Sequence, residues 1–142
     1  MSRFTKLDSA GTALPDDAAA WVAVLDNTTS LIWSAGNLDD ERMEWIDAKS
    51  ACAAVTLCEQ SDWRLPAVEE LFALADRSRL SPAIDTAFFP MTKSDWYWSS
   101  TPDASSPAVY AWLVNFSGGS AGVYNQYGTA FVRAVRSARA SQ

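Results

Sequence analysis

Apolar and polar positions follow two different periods along the chain, and the switch between them separates a strand-rich beginning, a helical middle and a strand-rich end. Trp21-Val22-Ala23-Val24-Leu25-Asp26 and Ser30-Leu31-Ile32-Trp33-Ser34 are short β-prone runs. The turn composition of Asp26-Asn27-Thr28-Thr29 between them predicts a hairpin. From Asp39 the period becomes helical: Trp45, Ala48, Cys52 and Val55 recur at helical spacing, and Asp39, Asp40 and Glu41 suit the N-terminal dipole end. A first helix is expected from about Glu41 to Leu57. A second follows Arg64-Leu65-Pro66, with Pro66 at an early helical position, Glu69 and Glu70 in the first turn and Val68, Leu71, Phe72 and Ala75 as its apolar stripe. It is expected to end near Asp76 to Ser78.

Alternation returns in Asp95-Trp96-Tyr97-Trp98-Ser99-Ser100 and in the run from Ala108 to Phe116, where Tyr110, Trp112, Val114 and Phe116 fall on one side of a strand. Gly122-Val123-Tyr124 and the run from Ala130 to Arg136 complete the strand-rich half, with Gly118, Gly119, Gly122 and Gly128 marking turns. Strands, two central helices and more strands spell an α+β fold, with two helices packed against antiparallel β-sheet. The chain reads as a single domain over 1–142: an irregular leader with one short strand over 1–20, a core over 21–136 and a tail over 137–142.

Composition sharpens this picture. A chain of 142 residues can bury a sizeable core without disulfide or metal. Seven Trp, four Tyr and six Phe exceed what an average domain carries, so some of them are candidates for a binding face. The net charge of −6 disfavours nucleic acid and anionic lipid as partners. Arg133, Arg136 and Arg139 gather near the C-terminus as a local basic patch or, preferably, as solvated terminal charges. The N-terminus has no apolar signal-peptide core and no run is long enough to span a membrane, so the expected product is soluble and made in the cytoplasm without a signal peptide. Cys52 and Cys58 match no zinc spacing and are expected to be reduced.

Histidine is absent, which removes the usual general base, the Ser-His and Cys-His dyads and the commonest zinc ligand. No enzyme, cofactor or metal site is expected. Of the acidic pairs Asp16-Asp17, Asp39-Asp40 and Glu69-Glu70, the last two are explained by helix-terminus electrostatics. Pro102-Asp103 and Asn115 are too sparse for a calcium cluster. Asp62-Trp63-Arg64-Leu65-Pro66 reads as structural: Arg64 can hold a carboxylate bidentately or bind loop carbonyls, Trp63 can cover the helix junction and Pro66 starts the second helix. Trp98 and Ser99 read as a core strand whose hydroxyl ties a neighbouring loop. The segment from Ser117 to Thr129 is richer in possibilities, because Tyr, Asn, Gln and Ser beside flexible Gly resemble the composition of antibody loops. Tyr124, Asn125, Gln126 and Tyr127 are its candidate ligand contacts, with Tyr110, Trp112 and Asp103 beside them and the Thr101 to Pro107 loop on the same rim.

Leu31-Ile32-Trp33, Trp45 with Ala48 and Cys52, Ser61-Asp62-Trp63-Arg64-Leu65-Pro66 with Glu70-Leu71, Trp98-Ser99-Ser100-Thr101 and Val132-Arg133-Ala134-Val135-Arg136 occur in the order found in one family. The chain resembles the C-terminal domain of Legionella collagen-like adhesins from about Trp21 to Arg136. The resemblance implies a C-type-lectin-like fold related to sulfatase-modifying factors and to the variable proteins of diversity-generating retroelements. Trp33, Trp45, Arg133 and Arg136 then belong to a structural scaffold that presents a variable binding surface. It also implies adhesion or phage receptor recognition, with trimers where such domains sit on fibres; no collagen-like or coiled-coil stalk is present in this sequence. Family members commonly carry a cysteine where this chain has Ala134, able to bridge to the position of Cys52, so that bridge is lost. A non-catalytic module that binds a bacterial surface glycan or protein, on a virion or as an adhesin, is the expected function. The alternative is an intracellular effector of a phage or mobile element that inhibits a host defence protein in the cytoplasm.

Overall fold

The computed structural model describes residues 3–39 and 41–138. Asp40 and Arg139 lie outside the described residues. Among the described residues, two helices and nine strands follow the order β1 (Phe4–Leu7), β2 (Ala23–Asp26), β3 (Leu31–Ser34), β4 (Met43–Glu44), α1 (Trp45–Ala54), α2 (Val68–Leu74), β5 (Trp96–Pro102), β6 (Tyr110–Asn115), β7 (Ser120–Asn125), β8 (Thr129–Ala130) and β9 (Val135–Ser137). A four-stranded sheet runs β1-β2-β3-β9, a three-stranded sheet β5-β6-β7, and β4 pairs with β8; every pairing is antiparallel. The fold is α+β.

The expected hairpin is β2–β3, closed where Asp26 accepts the Thr28 N–H at 3.0 Å. The short strand of the leader is β1, which pairs with β2 along its length and buries Phe4 and Leu7. Helix α1 is shorter than its apolar period. Met43 and Glu44 are drawn into pairing with Ala130 and Thr129, and Val55 is already extended. Asp39 has a left-handed backbone (φ 59°) and Glu41 precedes β4, so neither sits at a helix dipole; the acidic residue of the first turn is Asp47. Helix α2 starts two residues after Pro66, with Ala67 as its N-cap, and ends where Ala75 turns extended and Asp76 N–H binds the Ala83 carbonyl at 2.7 Å. Its buried side chains are Leu71 and Leu74, while Phe72, expected in the stripe, is 39% exposed.

The β5-β6-β7 sheet is the partition of the molecule. Tyr97 and Val114 face one core with Leu71, Leu74, Phe89 and Phe116. Trp98, Ala111 and Leu113 face a second core with Trp45, Ala48, Cys52 and Trp63. Alternation along β5 and β6 thus serves two interiors, which explains why large residues occupy both parities. Phe116, assigned by its spacing to the strand, lies one residue beyond β6 and is fully buried.

Candidate functional site

The residues expected to be structural are each tied down. Asp62 accepts from Arg136 Nε at 2.6 Å and from its Nη2 at 3.2 Å. Arg64 grips Glu70 bidentately at 2.7 and 2.9 Å, and Glu70 also accepts the Ala67 N–H at 2.9 Å. Trp63 Nε1 donates to the Leu57 and Gln60 carbonyls, Trp45 Nε1 to Ser99 O and Trp98 Nε1 to Met43 O. Ser99 Oγ donates to the Trp112 carbonyl at 2.7 Å, locking β5 to β6. Trp33 is buried in the core beside β9, with its indole nitrogen unpaired. Hydrogen bonds from Arg136 hold the Asp62 carboxyl, and those from Arg64 the Glu70 carboxyl, below the usual carboxylate range.

Arg133 and Arg136 are not solvated terminal charges or a basic patch. Arg133 is wholly buried, donates to the carbonyls of Ser34 and Ala35 at 3.0 and 3.1 Å and to Thr92 Oγ1 at 2.7 Å, and stacks 4.8 Å from the Phe89 ring centroid. Arg136 is buried against Asp62. Cys52 and Cys58 are free and buried, and burial pushes the Cys52 thiol up to about 12.

The candidate ligand contacts divide between two faces of one sheet. Cross-strand partners share a face, so Tyr110 lies with Asn125 and Trp112 with Val123, while Tyr124 lies with Ala111 on the other side. Tyr110 and Trp112 therefore do not join Tyr124. Trp112 borders a hollow with Val68, Glu69, Phe72, Thr101 and Ala121. Asn125 and Gln126 act as turn holders. Asn125 Oδ1 accepts the Tyr127 N–H at 2.8 Å, and Gln126 Nε2 donates to the carbonyls of Pro107 and Tyr110 at 2.9 and 3.1 Å. Asp103 accepts from Ser105 Oγ at 2.9 Å in the adjoining loop. The Gln126 bonds do put the 103–109 loop and the 126–128 turn at one end of the sheet, as a shared rim requires.

On the Tyr124 face is a cleft of about 280 Å³ lined by Arg42, Trp96, Leu113, Val123, Tyr124 and Thr129. That volume is at the small end for ligand pockets. Two glycines make room for its aromatic walls. A Cβ on Gly122 would touch the Trp96 ring at 3.5 Å, and one on Gly128 would lie 2.1 Å from the Tyr124 ring, so both rings lie against bare backbone. Arg42 is held by an ion pair with Asp95 and donates to the Thr129 carbonyl at 3.2 Å. A second hollow, lined by Glu44, Trp45, Ile46, Gln126 and Tyr127, adjoins it through the Glu44–Thr129 pairing. Tyr127 is 80% exposed, Ile46 61% and Tyr124 49%. The sequence reading missed Arg42, Trp96, Leu113 and Ile46, while Val123 and Thr129 fall within the Ser117–Thr129 segment it singled out. Trp96 was within reach, since Trp96 and Trp98 alternate about Tyr97; Arg42 comes to the cleft, and Ile46 to the adjoining hollow, only through the long-range β4–β8 pairing.

The profile of the Lcl C-terminal domain family matches residues 22–136, from just before β2 into β9. The chain belongs to the Lcl C-terminal domain family. The match takes in both helices, β2 to β8, the first two residues of β9 and all the residues of the cleft, so the site lies within the family's own domain. As an Lcl C-terminal domain, the chain is an adhesin-like domain. No curated protein matches it.

Proposed function

We propose that this Lcl C-terminal domain is a non-catalytic recognition module on a C-type-lectin-like scaffold, which binds a bacterial surface glycan or protein through the Trp96–Tyr124 cleft. The observation that carries the reading is the pair of aromatic rings, Trp96 and Tyr124, lying on bare glycine backbone beside a fixed guanidinium. Aromatic rings offer a flat apolar face to the C–H face of a sugar or to a side chain, while Arg42 and Thr129 supply polar partners for hydroxyls or carbonyls. Because Arg42 is already held by Asp95, little of its freedom is lost on binding. A non-catalytic role is supported by the absence of His and by carboxylates such as Asp62 and Glu70 that are committed to arginines, which keeps them ionised and poor proton carriers near neutral pH.

Display on an adhesin or a phage tail fibre is the setting that fits this reading. The test is adsorption of the purified chain to intact bacteria and to their extracted surface polysaccharide. Tyr124→Ala is expected to weaken adsorption at least about tenfold, the equivalent of ~1.4 kcal/mol, with an unchanged far-ultraviolet spectrum. Undiminished adsorption by that variant would remove the cleft from the proposal.

A further inference from the structure

The three-stranded sheet leaves one edge open. The outer side of β5 is occupied, because Trp98 N–H binds Phe131 O, Phe131 N–H binds Trp96 O and Ser100 N–H binds Pro66 O. In the four-stranded sheet, Val135 of β9 exchanges both backbone bonds with Arg64, and β1 receives Leu14 N–H on Lys6 O and a bridge to Ala13. On β7 the outer side meets no strand among the described residues, and five of its six residues are exposed. Proteins ordinarily blunt such edges with Lys, Pro, bulges or a cover. The strand Ser120-Ala121-Gly122-Val123-Tyr124-Asn125 has no charge, no Pro and no bulge in its pairing with β6.

Its free groups can be assigned. Gln126 N–H binds the Val109 carbonyl in continuation of the β6–β7 register, so by alternation Tyr124, Gly122 and Ser120 point their backbone groups at β6. Ala121 and Val123 point theirs outward. We propose that β7 pairs antiparallel with β7 of a second copy of this chain, about a two-fold axis at Gly122. In that register Ala121 faces Val123 of the second copy and Ser120 faces its Tyr124, so each larger side chain meets a smaller one and all four outward groups of Ala121 and Val123 in both copies are bonded. Gly122 opposes Gly122, where two chains approach most closely. A two-fold contact uses the same patch on both copies and closes. With β5 covered, the result is a dimer with a continuous six-stranded sheet rather than a filament, and it sets the two Trp96–Tyr124 clefts side by side on one face. The pairing stands independently of what those clefts bind.

Light scattering with size exclusion on the full chain, over a concentration series, tests the proposal. The wild type is expected to reach twice the mass of one chain. Ala121→Glu with Val123→Glu places two like-charge pairs across the axis and is expected to be monomeric. Ala121→Lys with Val123→Glu places Lys opposite Glu twice and is expected to restore the dimer; circular dichroism confirms folding of both variants. A wild type that stays monomeric throughout, a dimer that survives the double-Glu change, or a Lys/Glu variant that remains monomeric while folded would each overturn it.

Discussion

Arg133 brings a guanidinium into a wholly buried site where its partners are two carbonyls and a hydroxyl, with an aromatic ring beneath it. Removing it would orphan the Ser34 and Ala35 carbonyls at the end of β3 and leave a void beside Phe89. Arg133→Ala is expected to lower the unfolding free energy by about 3 kcal/mol in urea titration, and a loss under about 0.5 kcal/mol would contradict this role. Cys52 makes the opposite point. Its thiol is raised by burial, so it stays neutral and is shielded at pH 8; an aromatic disulfide reagent should modify it only as fast as the chain unfolds. The apolar stripe of the first helix, with Cys52 on its buried face, was legible because it is local. The burial of Arg133 was not, since an Arg near a terminus looks solvated until β9 is seen to pair with β3.

Among the elements, α2 depends most on polar detail. It has seven residues and no side-chain N-cap; Ala67 N–H is met by Glu70 of the helix's own first turn, and Val68 N–H from outside by Thr101 Oγ1 at 3.0 Å. Thr101→Val is expected to cost about 1 kcal/mol by denaturant titration. The Glu70 and Asp62 carboxyls have folded pKa values below their unfolded ones. Their contribution is therefore intact above the unfolded carboxylate range, about pH 4, and is lost as pH falls through the lower folded values. Acid titration of stability should be flat from pH 7 to about 5 and fall below about 4, more shallowly in Glu70→Gln. Element boundaries were the least legible part. The helical period of 45–55 is real, but the pairing of Met43–Glu44 with Thr129–Ala130 overrides its first turn, and no local signal announces a partner that distant in sequence. The β2–β3 hairpin was legible because its turn and both strands are contiguous.

Over the whole molecule, one central sheet divides two cores and exposes a cleft on one of its faces. The α+β class and the run that supplies Tyr124 were readable from period and composition. The split of Tyr110 and Trp112 from Tyr124 was not, because face assignment requires the register of β6 against β7. Gly128 connects packing to recognition: a Cβ there would displace the half-exposed Tyr124 ring. Gly128→Ala should therefore weaken surface adsorption about tenfold while shifting the unfolding midpoint little. The most direct measurement is a proton–nitrogen correlation titration of the chain with extracted bacterial surface polysaccharide, read at the tryptophan indole signals. Recognition through the cleft predicts that the Trp96 indole signal shifts while those of the core residues Trp33 and Trp63 stay in place. An unmoved Trp96 signal at saturating ligand would contradict it.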